Sequence, residues 1–130
     1  MRGTIERLEM HLESILQLCA GNRNGEFRIE SCRSRETVSI RIPGTPSNEF
    51  HATEDELELL AVRFQDGPPI QPRSIVEVRR LILFRLHDIA ENSNGNGNVE
   101  VFCRRQENGR LRIRIRQRND DEVVLRPDEY

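Results

Sequence analysis

Hydrophobic residues recur along this chain with two different periods, and these periods divide it into helices and strands. Within residues 4–20 they fall three or four positions apart, which predicts an amphipathic helix. Within residues 26–33 and 37–42 they alternate with polar residues, as they do in half-buried strands. The first third of the chain therefore predicts a helix followed by a β-hairpin.

The same order returns in the second half of the chain. Ser74 and Glu77 have the spacing of a capping box, and the helix that they begin is apolar on most of its circumference. Residues 99–105 and 111–118 then alternate as a second hairpin, with residues 122–126 as a candidate fifth strand. A helix apolar on several sides must be covered on several sides, so we expect it at the centre of the core.

These elements predict an α+β fold in one domain, residues 1–130. Two helix–β-hairpin units, residues 1–42 and 74–126, are expected to form one antiparallel sheet of four or five strands packed on the central apolar helix. Residues 43–73 are predicted to be a connector with a short helix that begins near Thr53, and residues 127–130 a tail. A chain of 130 residues is long enough to bury one core of this kind.

Two interpretations of the repeated order stay open. The pairs Cys32-Arg33 and Cys103-Arg104 are 71 residues apart, which favours an internal duplication. However, strand alternation places Cys32 outward and Cys103 inward, and a shift of one residue restores the parity but loses the identity. The alternative is that two similar units arose without duplication.

Composition and cysteine usage indicate a soluble intracellular protein. Hydrophobic residues make up 35% of the chain and charged residues 32%, and the three cysteines are odd in number and far apart. No apolar run approaches the roughly 18 residues of a membrane span, and the N-terminus lacks the apolar core of a secretion signal. We therefore expect a cytoplasmic protein with no membrane partner.

The net charge of −2 is distributed unevenly. Residues 67–118 contain eleven arginines and five acidic residues, whereas residues 119–130 contain one arginine and five acidic residues. All twenty basic residues are arginine. The absence of lysine has two explanations that stay open: codon bias, or selection against an amine that can be modified.

The predicted second hairpin carries the clearest candidate site. Alternation places the arginines of residues 110–118 on one side of the sheet and Leu111, Ile113 and Ile115 on the other. Like charges two positions apart on a strand repel unless anions lie between them. The anions are either internal or supplied by a partner. Internal candidates are Glu100, Glu122 and the acidic side chains of Glu49, Glu54, Asp55, Glu56 and Glu58. The candidate residues for an anionic partner are Arg104, Arg105, Arg110, Arg112, Arg114 and Arg116.

Motifs for catalysis, metal binding or phosphate binding are absent from the sequence, so we expect no catalytic residues, no metal and no cofactor. His87 is expected to be a partly buried, hydrogen-bonded histidine. Cys32, outward and next to Arg33, is the one thiol for which we expect a lowered pKa.

The leading hypothesis is a non-enzymatic protein-interaction module, a homodimeric adaptor or regulator, that acts through apolar helix surface and the arginine-lined side of the sheet. The spare apolar surface is expected on the central helix and at Met10 and Leu18, which lie off the apolar stripe of the first helix. The alternative is a protein that binds double-stranded RNA or DNA through residues 104–118.

Overall fold

The structure is a computed structural model that describes residues 3–21 and 24–130. Its elements, in chain order, are α1 (Thr4–Gly21), β1 (Asn24–Cys32), β2 (Thr37–Arg41), β3 (Asn48–His51), α2 (Glu54–Arg63), α3 (Ile75–Asn92), β4 (Gly97–Arg105), β5 (Leu111–Arg116), β6 (Asp120–Leu125) and a 3-10 turn at Pro127–Glu129. The predicted helices, the two predicted hairpins and the candidate fifth strand are all present. The α+β class is confirmed.

The described strands form one antiparallel sheet in the order β3-β2-β1-β4-β5-β6. The prediction of four or five strands was wrong, because β3 lies within the connector, residues 43–73, in which we expected a short helix and no strand. The two predicted helix–hairpin units also differ from the observed arrangement. Each half of the chain contains a helix followed by three strands, and α2 connects the halves.

Side-chain caps begin α2 and α3 where the sequence predicts them. The Thr53 hydroxyl accepts a hydrogen bond from the Glu56 backbone N–H at 3.3 Å, and the Ser74 hydroxyl accepts one from the Glu77 N–H at 3.1 Å. The Glu77 carboxylate in turn accepts from the Arg73 N–H at 2.6 Å, one residue earlier than in a standard capping box. These bonds fix the point at which each helix leaves its loop.

The helices α1 and α3 pack against one side of the sheet, here called the inner face, and α2 packs against both of them. The α3 helix is central, as predicted: its apolar residues are covered by the sheet, α1 and α2, and only Val76 is substantially exposed, at 42%. The described part of α3 therefore leaves little apolar surface exposed, whereas Met10 and Leu18 of α1 are 47% and 64% exposed. The opposite side of the sheet, here called the outer face, is covered by none of the described helices.

Two glycines allow the helices to approach the sheet closely. A Cβ at Gly25 would lie 2.8 Å from the Cys19 Sγ of α1, and a Cβ at Gly97 would lie 2.7 Å from the Ile89 Cγ2 of α3. The two glycines are 72 residues apart and lie at the start of β1 and of β4. At this spacing Ser31 corresponds to Cys103, and both side chains face inward. The second strands of the halves correspond at a spacing of 73, at which Val38 and Ile40 match Leu111 and Ile113, so no single spacing relates the two halves.

Each edge strand is tethered to the helix of its own half by a polar side chain on the inner face. Asn48 of β3 is hydrogen-bonded to the His11 ring at 2.9 Å. Asp121 of β6 accepts two hydrogen bonds from the Arg85 guanidinium, at 2.6 and 3.1 Å. A charge-assisted pair of this bidentate kind fixes the position of β6 against α3.

None of the described helices combines the length and the hydropathy needed to cross a bilayer.

Candidate functional site

The outer face of the sheet presents arginine side chains in the arrangement that the sequence predicts. In β5, Leu111, Ile113 and Ile115 are fully buried on the inner face. The side chains of Arg112, Arg114 and Arg116 are 40%, 46% and 53% exposed on the outer face. The strand ends at Arg116, two residues earlier than predicted.

Carboxylates of β6 meet the arginines of β5. Arg112 lies 2.9 Å from a Glu122 carboxylate oxygen, and Asp120 lies 3.8 Å from Arg114 and 3.6 Å from Arg116. Exposed ion pairs of this kind contribute about 0–1 kcal/mol each. The predicted internal neutralisation is therefore present on the β6 side of β5, but it is weak.

On the β4 side of the same strand, Glu100 lies opposite Arg116, as the sequence predicts, but the other end of the strand pairs like charges. Arg104 of β4 lies directly opposite Arg112, and Asn24 lies opposite Arg104 on the other side. Residues paired in this way have Cα atoms about 5.5 Å apart, so the two guanidinium groups repel each other. No carboxylate among the described residues forms an ion pair with Arg104 or with the nearby Arg110. This corner of the sheet therefore carries uncompensated positive charge.

Arg105 does not belong to this surface. It points to the inner face, where its guanidinium donates a hydrogen bond to the Ala20 carbonyl in the last turn of α1. It also lies over the Tyr130 ring, with 5.8 Å between the guanidinium carbon and the ring centroid. A cation at a helix C-terminus opposes the negative end of the helix dipole, so Arg105 acts as a cap for α1. The alternation that turns Cys103 inward also turns Arg105 inward, and this signal was available in the sequence.

Phe102 lies at the centre of the outer face, on β4. It is half-buried and stands opposite Arg114, and the Arg116 guanidinium carbon is 6.0 Å from its ring centroid. A depression of about 440 Å³ lies beside it, lined by Asn24, Glu26, Phe102, Arg104, Arg112 and Arg114. We call Phe102, Arg104, Arg112, Arg114 and Arg116 the arginine face.

The acidic residues near α2 do not reach the arginine face. Glu54 forms an ion pair with Arg33 after β1, and Glu56 accepts a hydrogen bond from the Thr53 hydroxyl at 3.4 Å. The hydrogen bond from Thr4 is the main cause of a lowered pKa at Glu56. Glu54 therefore neutralises Arg33, and Glu56 takes part in the hydrogen bonds at the start of α2.

A second depression, a cleft of about 380 Å³, lies between α2, α3 and the β1–β2 turn. Its floor is apolar, and its rim carries Glu36, Glu54, Glu58 and Glu91 with Arg33 and His87. The His87 side chain is 16% exposed, and its Nε2 is 3.3 Å from a Glu91 carboxylate oxygen. His87 is thus partly buried and paired within its own helix.

The three thiols occupy two different environments. Cys19 and Cys103 are buried and hydrogen-bonded to each other, and this bond together with burial raises the pKa of the Cys103 thiol. Cys32 lies on the outer face with its Sγ 3.4 Å from the Ser34 hydroxyl. That hydrogen bond and further contacts with Arg35 lower the pKa of the Cys32 thiol. The sequence pointed to Arg33 as the cause, but Arg33 is paired with Glu54.

Within the ranges that the structure describes, no three His, Cys, Asp or Glu side chains are grouped as a metal site requires. Comparison of the chain with protein-family models, curated proteins and solved structures gave no match.

Proposed function

We propose that this chain is a non-enzymatic protein-interaction module that binds an acidic segment of a partner protein through the arginine face. The proposal rests on the sheet alone. Of the apolar helix surface that motivated part of the sequence hypothesis, the α3 part is buried, whereas Met10 and Leu18 of α1 are 47% and 64% exposed.

The observation that supports the proposal most directly is the pairing of Arg104 with Arg112. Two like charges directly opposite each other destabilise a sheet. A carboxylate bound between them is attracted by both guanidinium groups and removes the repulsion at the same time. Arg114 adds a third guanidinium to the same depression, and guanidinium groups bind carboxylates through two parallel hydrogen bonds.

The acidic residues of the outer face favour a short acidic peptide over a continuous polyanion. Glu26 lines the same depression, and Glu122 and Asp120 on β6 lie next to the arginines of β5. Each strand of a duplex carries a phosphate about every 3.4 Å along the helix axis, so a nucleic acid laid across the sheet would bring phosphates against these carboxylates. A peptide places one or two carboxylates at the arginine pair and neutral residues elsewhere.

Nucleic-acid binding is the second candidate function, because Phe102 is partly exposed in the middle of the sheet. An aromatic ring flanked by arginines on an open sheet is a surface on which an unpaired base can stack. Arg114 and Arg116 flank this ring. The predicted duplex mode needs no stacking, so single strands and duplexes both belong in the test.

The test is fluorescence anisotropy with three labelled probes at low salt: a glutamate-rich peptide, a single-stranded RNA and an RNA duplex of equal length. The proposal predicts saturable binding of the peptide that weakens as salt is added. The double variant R104Q/R112Q should weaken peptide binding about tenfold, since each exposed ion pair contributes about 0–1 kcal/mol and two lost pairs together approach the roughly 1.4 kcal/mol of a tenfold change.

The matched control is R73Q/R80Q, which removes the same charge from exposed arginines outside the arginine face. The control should bind the peptide like the parent chain. The proposal is wrong if the peptide does not bind, or if both double variants weaken it equally. Tighter binding of either RNA than of the peptide, lost in R104Q/R112Q, would establish the second candidate in its place.

A further inference from the structure

The edge of the sheet at β6 has unpaired backbone groups. The Gln117 N–H donates to the Asn119 carbonyl at 3.2 Å, and this bond fixes the alternation of hydrogen bonds between β5 and β6. Every second residue of β6 from Asp121 onward bonds to β5. The backbone N–H and C=O of Glu122 and Val124 therefore point away from the sheet, and among the described residues they have no backbone partner.

This edge is long, and none of the described strands or helices lies on it, although residues 70–73 line the groove beside it. β6 has six residues, whereas β3 at the opposite edge has four. A groove of about 460 Å³ runs beside β6, and two exposed apolar residues line it: Ile70, 93% exposed, and Val124, 42% exposed. An inward-pointing charge on an edge strand usually discourages pairing, but the charge of Asp121 is neutralised by Arg85.

We propose that β6 pairs antiparallel with β6 of a second copy of this chain, about a twofold axis at Val123. A second copy fits because the outer-face residues of β6 are complementary to themselves when the strand is reversed. In this register Glu122 of one protomer lies opposite Val124 of its partner, and each pair exchanges both backbone hydrogen bonds. Asp120 of one protomer lies opposite Arg126 of its partner, and this charge pair occurs twice. It adds to the exposed ion pairs that each residue forms in its own chain, Asp120 with Arg114 and Arg116, and Arg126 with Asp128 and Glu129.

The neighbouring registers are less favourable. A shift in one direction places Glu122 opposite the same residue of the partner, and like charges directly opposite are destabilising. A shift in the other direction replaces a central pair by Arg126, whose backbone N–H is already bonded to the Glu129 carboxylate at 2.7 Å. Charge and hydrogen bonding therefore select the same register.

The pairing joins the two sheets into one and goes beyond the proposed function, on which it does not depend. The β5 strands of the two protomers would be separated by three strand spacings, about 14 Å. The arginine faces of both protomers would then lie on one side of one continuous sheet.

Light scattering coupled to size-exclusion chromatography tests the pairing with the full chain. The parent should approach twice the monomer mass of 15.2 kDa as its concentration is raised through the micromolar range. V124P removes an outward N–H of β6 and should remain a monomer. E49P makes the same change on β3, where alternation from the Ala52 N–H bond to Glu36 also points the residue outward, and it should dimerise like the parent.

Charge reversal provides a second test that does not disturb the backbone. D120R and R126D should each weaken dimerisation about tenfold, because the twofold axis counts each lost pair twice. The combination D120R/R126D restores opposite charges and should dimerise more tightly than either single variant. A monomeric parent at all concentrations, a dimer unaffected by V124P, or a double variant no better than the single variants would each overturn the proposal.

Discussion

Replacing Gly97 with alanine tests how closely α3 approaches the sheet. The added Cβ would lie 2.7 Å from Ile89 Cγ2, 3.2 Å from the Ala90 nitrogen and 3.2 Å from the Leu86 carbonyl oxygen. The Ile89 side chain can turn away from the new methyl group. The other two atoms belong to the helix backbone, which moves only if α3 shifts against β4.

The expected loss follows from two opposing effects. Adding a methyl group to a packed core costs about 1–3 kcal/mol in the free energy of unfolding. The loss of glycine's freedom in the unfolded chain returns about 0.4–1 kcal/mol. Because two of the three contacts are backbone atoms, we expect a net loss of about 1–2 kcal/mol. For a domain of this size the melting temperature would fall by roughly 3–10 °C.

Urea unfolding of three variants measures this effect. G97A should be destabilised, whereas G21A, with no heavy atom within 4 Å of its new Cβ, should equal or exceed the parent in stability. Adding Ile89→Leu to G97A removes Cγ2 at nearly constant volume and should recover part of the loss. If G97A is as stable as G21A, then α3 does not approach β4 as closely as the structure shows.

Two further predictions concern buried charge and thiol reactivity. The Arg79 side chain is 15% exposed and lies 3.1 Å from Glu13 and 3.4 Å from Glu9. Arg79→Met leaves both carboxylates without this cation, so it should lower the free energy of unfolding in urea by about 2 kcal/mol. Replacing both glutamates by Gln in the same chain removes both negative charges and should recover most of the loss. Cys32 should be alkylated by iodoacetamide before the two buried thiols. The pH midpoint of its alkylation rate should lie below the ordinary value near 8.5, and this midpoint should rise in Ser34→Ala, which removes the hydrogen bond to the thiol. Peptide mapping that finds a buried thiol more reactive than Cys32 would contradict this prediction.

The sequence was most informative where one periodicity dominates a long segment. In β5, apolar and charged residues alternate without exception, and burial of the apolar set fixes which side of the sheet the arginines occupy. The helix α3 was equally clear, because its capping residues and its apolar circumference agree. Both features depend on residues close together in the chain.

The strand β3 could not be predicted in this way. Among its four residues only Phe50 is a large hydrophobic residue, and the segment follows two prolines and a glycine, so no alternation can be recognised. Its formation depends on Val38 of β2, which lies opposite Phe50. The information that makes it a strand is therefore in its neighbour in the sheet.

The spacing between the two halves could not be read from residue identity. Cysteine identity favoured a spacing of 71, whereas the inward residues of β1 and β4 correspond at 72 and those of β2 and β5 at 73. Gly25 and Gly97, 72 apart, carry the physical signal, since both are needed where a helix presses on the first residues of a strand. Close backbone approach is a tertiary property, so a glycine in a strand signals it only once the strand itself has been assigned.

In β5, the free energy gained by burying side chains on the inner face can be compared with the free energy lost to charge repulsion on the outer face. Two exposed unit charges about 7 Å apart repel by roughly 0.6 kcal/mol in water. Each of Leu111, Ile113 and Ile115 is fully buried, and burying such a side chain contributes about 1.5–3 kcal/mol. Burial on the inner face therefore exceeds repulsion on the outer face, and β5 can hold its arginines in place without a bound partner. For the same reason R104Q/R112Q should unfold at the same urea concentration as the parent or a higher one, so a loss of peptide binding in that variant would report on the arginine face and not on the fold.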